Sequence, residues 1–87
     1  PEELTLDGVF VAIGSVPNTE PLCGLADLDA HGYVKAGEDG VTSLDGLFAA
    51  GDVRTKPLRQ VVTAAADGAN CVASAEQYLL QNEKRWR

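Results

Sequence analysis

Two short stretches carry residue types suited to holding a ligand. In Leu47-Phe48-Ala49-Ala50-Gly51-Asp52-Val53 an apolar run stops abruptly at a glycine and a carboxylate. A buried strand of that kind delivers Gly51 and Asp52 to its carboxyl edge, where open α/β sheets bind their ligands. Gly51 lets a ligand approach the backbone, and an ionised Asp52 accepts hydrogen bonds from sugar or polyol hydroxyls. A plain turn, capped by Asp52 and with Gly51 in the left-handed region, accounts for the same residues. The second stretch is Arg59-Gln60-Val61, at the first turn of a long helical pattern. The free N–H groups of a helix start act like about half a positive charge, which suits an anion or a group that becomes anionic. A cation there opposes the dipole, so Arg59 is placed for a ligand or for solvent and not for helix stability.

Spacing excludes other chemistry. No two glycines are separated by a single residue, so GxGxxG is missing, and there is no GKS or GKT. The chain therefore lacks a dinucleotide pyrophosphate loop and a P-loop of its own. The single histidine, His31, sits beside Gly32 and reads as a surface turn residue. No His, Cys or carboxylate cluster has metal spacing, so no metal site is expected. Cys23 and Cys71 lie 48 positions apart, which is neither a CxxC pair nor a disulfide framework. Cys71 reads as a small packed residue and Cys23 as a bystander in a Pro-rich loop.

The elements that must position these residues follow from periodicity. Gly8-Val9-Phe10-Val11-Ala12-Ile13 is a continuous apolar run stopped by Gly14, the pattern of a strand buried on both faces of a parallel sheet. Ser15 to Cys23, with Pro17 and Pro21, is a loop. Leu25 to Leu28 is long enough for one helical turn. His31-Gly32 turns the chain into Tyr33–Ala36, and Gly37 to Gly40 turns it again into Val41–Ser43, which predicts a small hairpin. Leu47–Ala50 reads as a second buried strand and Val53–Pro57 as a polar connector. From Leu58 the period changes. Leu58, Val61, Val62, Ala65, Ala69, Val72 and Leu79 share one helical face, while Thr63, Asp67, Asn70, Ser74, Gln77 and Gln81 share the other. Pro57 suits the start of that helix, which frays after Leu80 into a polar tail, Glu83 to Arg87. Gly68 implies that something presses on its face.

Two buried strands, a hairpin and one helix leave a sheet face uncovered, since parallel sheets are covered on both sides. The fold class expected is α/β, with this chain a piece of a larger protein whose other layers lie upstream. A small α+β domain, or a dimer that covers the face, accounts for the same inventory. The absence of Met agrees with a piece. Seven Lys and Arg against thirteen Asp and Glu leave a net charge of −6, the wrong field for nucleic acid or anionic lipid. Uncharged Val9–Thr19 is too short to span a bilayer, and no basic-then-apolar leader opens the chain. Cysteine usage agrees with a reducing cytoplasm.

Taken together, four blocks resemble the bacterial-type, low-molecular-weight thioredoxin reductase family. They are Gly8–Gly14 continuing through Pro17-Asn18-Thr19, then His31-Gly32-Tyr33-Val34, then Thr42-Ser43 with Gly46–Val53, and finally Arg59–Ala65 with Gly68. In that family the flavin domain is split by an inserted nicotinamide domain. The resemblance implies that residues 1–87 are the C-terminal segment of a split, Rossmann-like FAD-binding domain, the NADPH domain and the N-terminal FAD segment being absent from this chain. It implies that Gly51 and Asp52 meet FAD, with Asp52 on the ribityl chain. It also implies that Arg59, Gln60 and Val61 lie at the isoalloxazine ring, the helix start facing the pyrimidine side where reduction places negative charge.

The parent enzyme so implied is a cytoplasmic homodimer that passes electrons from NADPH through FAD to a redox disulfide and on to thioredoxin. Without the redox cysteines the same fold serves a flavin-dependent ferredoxin–NADP reductase, and a non-enzymatic interaction module is the reading from a different class. The redox CxxC and the NADPH loop are not in this chain, so no residue of it is expected to be catalytic. An assay of NADPH-driven disulfide reduction on the isolated chain should therefore give no turnover above the buffer blank, and clear turnover would contradict the assignment.

Overall fold

The computed structural model describes residues 2–12 and 14–83. Its one α-helix, α1, runs over Val61–Gln81, with Gln60 as N-cap and Asn82 as C-cap. The start is three residues later than the periodicity from Leu58 implies. Gln60 is still extended, at φ −141° and ψ 161°, and its N–H is held by the Thr63 hydroxyl at 3.0 Å. Arg59 and Gln60 therefore precede the helix, and Val61 opens it. At about 1.5 Å per residue, the 21 residues make a rod of about 31 Å. Two 3-10 turns, Glu20–Leu22 and Gly51–Val53, complete the helical structure of the described residues. The expected helical turn at Leu25–Leu28 thus lies earlier, at Pro21. Of the polar tail, 84–87 lie outside the described residues.

The expected sheet is reduced to isolated bridges. Val34 pairs antiparallel with Leu28 on one side and parallel with Arg54 on the other, and Val41 pairs antiparallel with Phe48. The hairpin expected between Tyr33–Ala36 and Val41–Ser43 is therefore not formed, because both edges of Val34 are taken. Its N–H donates to Val53 O and its carbonyl accepts Thr55 N–H, each at 2.8 Å. The actual hairpin folds Asp27–Leu28 onto Val34–Lys35, and Asp29 Oδ1 closes it by accepting the N–H groups of His31 and Tyr33 at 2.9 Å each. His31 sits exposed in that turn, as the sequence suggests. Within the second apolar run only Phe48 is bridged, and Ala50 is extended without becoming a strand.

The first apolar run is also not a strand among the described residues, and Ile13 lies outside them. Phe10 is fully exposed. An apolar extended segment gains little until neighbours satisfy its backbone, and none of the described residues bridges to it. Among the described residues the buried apolar ones are Ala26, Val34 and Ala49, with Val34 at 0% exposure. Such a centre is too small to organise a domain. Two quantities agree. The radius of gyration is 17.7 Å, where a compact chain of this length has about 12 Å. The accessible surface is 7091 Å², where a folded monomer of this mass exposes ~4,900 Å².

Helix α1 docks with the face opposite to the one its hydropathy suggests. Asp67 is buried, and Ala64, Cys71, Ser74 and Tyr78 are half-buried, a stripe at helical spacing. Ser74 Oγ donates to Asp39 O at 2.7 Å, Cys71 Sγ donates to Ala49 O at 3.4 Å, and the Phe48 and Tyr78 rings meet edge to face at 6.2 Å. Val61, Val62, Val72 and Leu79 point away from these contacts and are exposed. A Cβ at Gly68 would meet nothing within 4 Å, so no described residue presses there.

Gly40 shows how tight the docked side is. It holds φ +75°, and a Cβ on it would overlap Cys71 Sγ and stand 3.0 Å from Ala49 O. Gly40→Ala should destabilise by about 2–4 kcal/mol, from left-handed strain and overpacking together. Adding Cys71→Ala should recover roughly 1 kcal/mol or more of that by removing the overlap. Urea unfolding of the single and double variants measures both, and a double variant no more stable than Gly40→Ala would refute the contact.

Candidate functional site

The turn that follows the second apolar run is held from two sides. Gly51 is buried with φ +81°, in the left-handed region that glycine enters without steric cost. Its N–H donates to Asp67 Oδ2 on α1 at 2.9 Å. Asp52, the next residue, is exposed, and its carbonyl accepts Arg59 Nε–H at 3.0 Å. The Asp52 carboxylate takes no donor among the described residues. Gly51 supplies the left-handed turn that the sequence suggests, and the Asp52 side chain does not cap it.

Arg59 is not a loose surface cation. Its guanidinium carbon lies 3.8 Å from the centroid of the Tyr33 ring, and Nη2–H donates to Arg54 O at 3.2 Å. The stacking over an aromatic face and the two carbonyls hold the side chain back along the loop, outside the first turn of α1. The sequence-derived residues Gly51, Asp52 and Arg59 are therefore brought together, with Gln60 and Val61 following at the exposed start of the helix. Val61 is 87% exposed, so whatever it contacts lies beyond these residues.

Beneath the turn lies a charged cluster that sequence reasoning missed. Arg54 grips Asp67 side-on, Nε–H to Oδ2 at 2.8 Å and Nη2–H to Oδ1 at 2.9 Å. Lys56 Nζ donates to the same Oδ2 at 2.7 Å. Arg54 Nη1–H reaches Thr55 O at 2.6 Å and Ala36 O at 3.3 Å. Arg54 and Asp67 are about 5% exposed and the Lys56 side chain is 2% exposed. A polar connector was expected at Val53–Pro57, and a solvent face at Asp67. The available signal was the pair of small residues flanking position 67 on the same face, Ala64 and Cys71, which lets the loop backbone approach the helix beside its carboxylate.

The electrostatics follow from that geometry. The Arg54 guanidinium, then the Lys56 ammonium and the Gly51 N–H, hold the Asp67 carboxyl far below the usual carboxylate range against the opposing effect of desolvation. Asp67 in turn keeps Arg54 more firmly protonated. Burial pushes the Cys71 thiol up, and the negative Asp67 adds to it. Cys71 is thus a packed, unreactive thiol, Cys23 is exposed, and the two are unpaired. No group of metal-binding side chains occurs among the described residues, and no helix there is long and apolar enough to cross a membrane.

Because the Asp67 pKa is lowered on folding, its ion pairs contribute fully above the unfolded carboxylate value of about 3.9 and fade as pH falls below it. Stability should therefore decline from about pH 5 downward. Asp29, lowered chiefly by the Tyr33 N–H, acts with the same sign. Asp67→Asn should start less stable and lose less between pH 5 and pH 2, as read by urea midpoints across that range. Parallel slopes for the two proteins would mean that Asp67 is not the titrating anchor.

Comparison with known proteins matches this chain to a family. The family model described as Pyridine nucleotide-disulphide oxidoreductase matches residues 1–68. A thioredoxin reductase of Peptoclostridium litorale is 47% identical over 79 residues, which are 91% of this chain and 25% of that protein. A component of the alkyl hydroperoxide reductase of Pseudomonas aeruginosa is 44% identical over 80 residues, 92% of this chain and 15% of that protein. The crystal structure of thioredoxin reductase from Streptococcus pyogenes superposes with a TM-score of 0.78 at 39% identity, over 85% of this chain and 24% of that one. The chain spans about a quarter of the length of the thioredoxin reductases it matches. It belongs to the pyridine nucleotide-disulphide oxidoreductase family, and over most of its length it is thioredoxin-reductase-like.

Proposed function

We propose that these 87 residues complete the FAD site of an NADPH-dependent thioredoxin-disulfide reductase, as the C-terminal segment of its split, Rossmann-like FAD domain. The observation that carries this reading is the tie between Asp52 and Arg59 at 3.0 Å, which makes the Gly51-Asp52 turn and the approach to α1 one rigid edge. The donor set fits the cofactor. The outward Asp52 carboxylate is suited to ribityl hydroxyls, and Gly51, at φ +81° and packed against α1, forms the turn that presents it. Gln60 and Val61 follow at the helix start, where N–H groups favour negative charge. FAD, when bound, supplies the electron chemistry; the chain's part is to grip the polyol, present the helix start to the ring and seal the site with its exposed apolar face. Thioredoxin, the homodimer partner and a cytoplasmic setting belong to the parent enzyme in this proposal.

A second reading concerns the electron acceptor. One relative, at 44% identity, carries the name of an alkyl hydroperoxide reductase subunit, which supports an acceptor other than thioredoxin. The flavin-site residues serve either acceptor equally, so the binding experiment below tests what both readings share.

Full-length protein carrying this sequence should purify with bound FAD. Asp52→Ala should weaken FAD binding by roughly 10- to 100-fold, the scale of a charge-assisted hydrogen bond of about 1.5–3 kcal/mol. Flavin fluorescence titration of the apoprotein measures it. An Asp52→Ala protein with wild-type FAD affinity would remove the carboxylate from the site.

A further inference from the structure

The Gly51-Asp52 turn has two attachments. On its amino side the Gly51 N–H is taken by Asp67 Oδ2 at 2.9 Å, and on its carboxyl side the Asp52 carbonyl is taken by Arg59 at 3.0 Å. Of the two attachments, the one to Asp67 is buried and the one to Arg59 is not. Asp67 also cannot move alone. Three donors converge on its Oδ2, namely Gly51 N–H, Arg54 Nε–H and Lys56 Nζ, and Arg54 Nη2–H takes Oδ1.

We infer that Asp67 is a positioning residue for FAD: through the Gly51 N–H it sets the direction in which the Asp52 carboxylate leaves the turn. The inference rests on the reading of Asp52 as the polyol-binding group. Division of labour within the cluster follows from who touches what. Arg54 and Lys56 neutralise and clamp Asp67, while Asp67 reaches the turn backbone from α1. An amide at position 67 would turn N–H groups toward these donors. A glutamate would keep the charge for Arg54 and Lys56 but carry its oxygens one methylene away from their present places. A carboxylate held in advance binds more tightly than one ordered by its ligand, because the ordering cost is already met.

The test uses the full-length flavoprotein and compares Asp67→Glu, Asp52→Ala, their double variant and Gly40→Ala, each checked for helix content by far-ultraviolet circular dichroism. Asp67→Glu should raise the FAD dissociation constant about tenfold and change the visible circular dichroism of the bound flavin. In the Asp52→Ala background the same change should cost less than about twofold, because the carboxylate it aims is gone. Gly40→Ala, which packs on Cys71 and Ala49 and makes no contact with Asp67, should lower the unfolding temperature while keeping FAD affinity within about twofold and the flavin spectrum unchanged. An undiminished effect of Asp67→Glu in the Asp52→Ala background would overturn the inference, since Asp67 would then act on general stability. Equal loss of FAD affinity in Gly40→Ala would overturn it as well, and that arm decides the matter if Asp67→Glu fails to fold. If Asp52→Ala alone leaves FAD binding intact, it is the underlying reading of Asp52 that fails.

Discussion

The packing of this chain converges on one carboxylate. Asp67 ties the turn at Gly51 and the adjoining connector at Arg54 and Lys56 to the middle of α1. Arg54 extends the tie to Ala36, and its backbone pairs with Val34, whose side chain is fully buried. Charges so far from water are tolerable only when each buried polar atom finds a partner, and among the described residues no buried side-chain nitrogen or oxygen lacks one. The three segments are therefore present together or not at all. With an apolar centre of two alanines and a valine, polar satisfaction does the organising that a hydrophobic core does in a larger domain.

The helix has two working sides with opposite chemistry. The side rich in small and polar residues packs on the chain's own loops, through Asp67, Cys71, Ser74 and Tyr78. The aliphatic side, with Val61, Val62, Val72 and Leu79, is exposed. The same holds for Leu4, Leu6, Val9, Phe10 and Val11 on the amino-terminal arm. Exposed aliphatic surface on this scale is what an internal layer shows when it is seen without its neighbours. The match of 85% of the chain to only 24% of a solved thioredoxin reductase fits that picture.

What could be read from the sequence divides along the range of the interactions. The existence of α1 and its end near Leu80 are local matters of propensity and period, and they were legible within a few residues. So were the Gly32 and Gly51 turns, because a left-handed backbone leaves a glycine behind. The strands were not, because an apolar run becomes a strand only when another run offers its backbone, and that is a property of the partner. The docked face of α1 was misread for a related reason. Hydropathy reports which side of a helix prefers to leave water, and the side that chain connectivity presses against its own loops is a different question. Of the site, Gly51, Asp52 and Arg59 could be placed from spacing, whereas the Arg54, Lys56 and Asp67 cluster could not. Three charges scattered over fourteen positions look like solvated surface until a fold gathers them.

The contact between Cys71 and Gly40 has a practical corollary. The thiol faces a backbone that leaves no space for an added group, and Cys23 stands open to solvent. Alkylating reagents will therefore reach the half-buried Cys71 chiefly when α1 lifts from its loops, while the exposed Cys23 reacts throughout and calibrates the reagent. The molecule carries its own stopwatch for undocking, with the reference mark built into the same polypeptide.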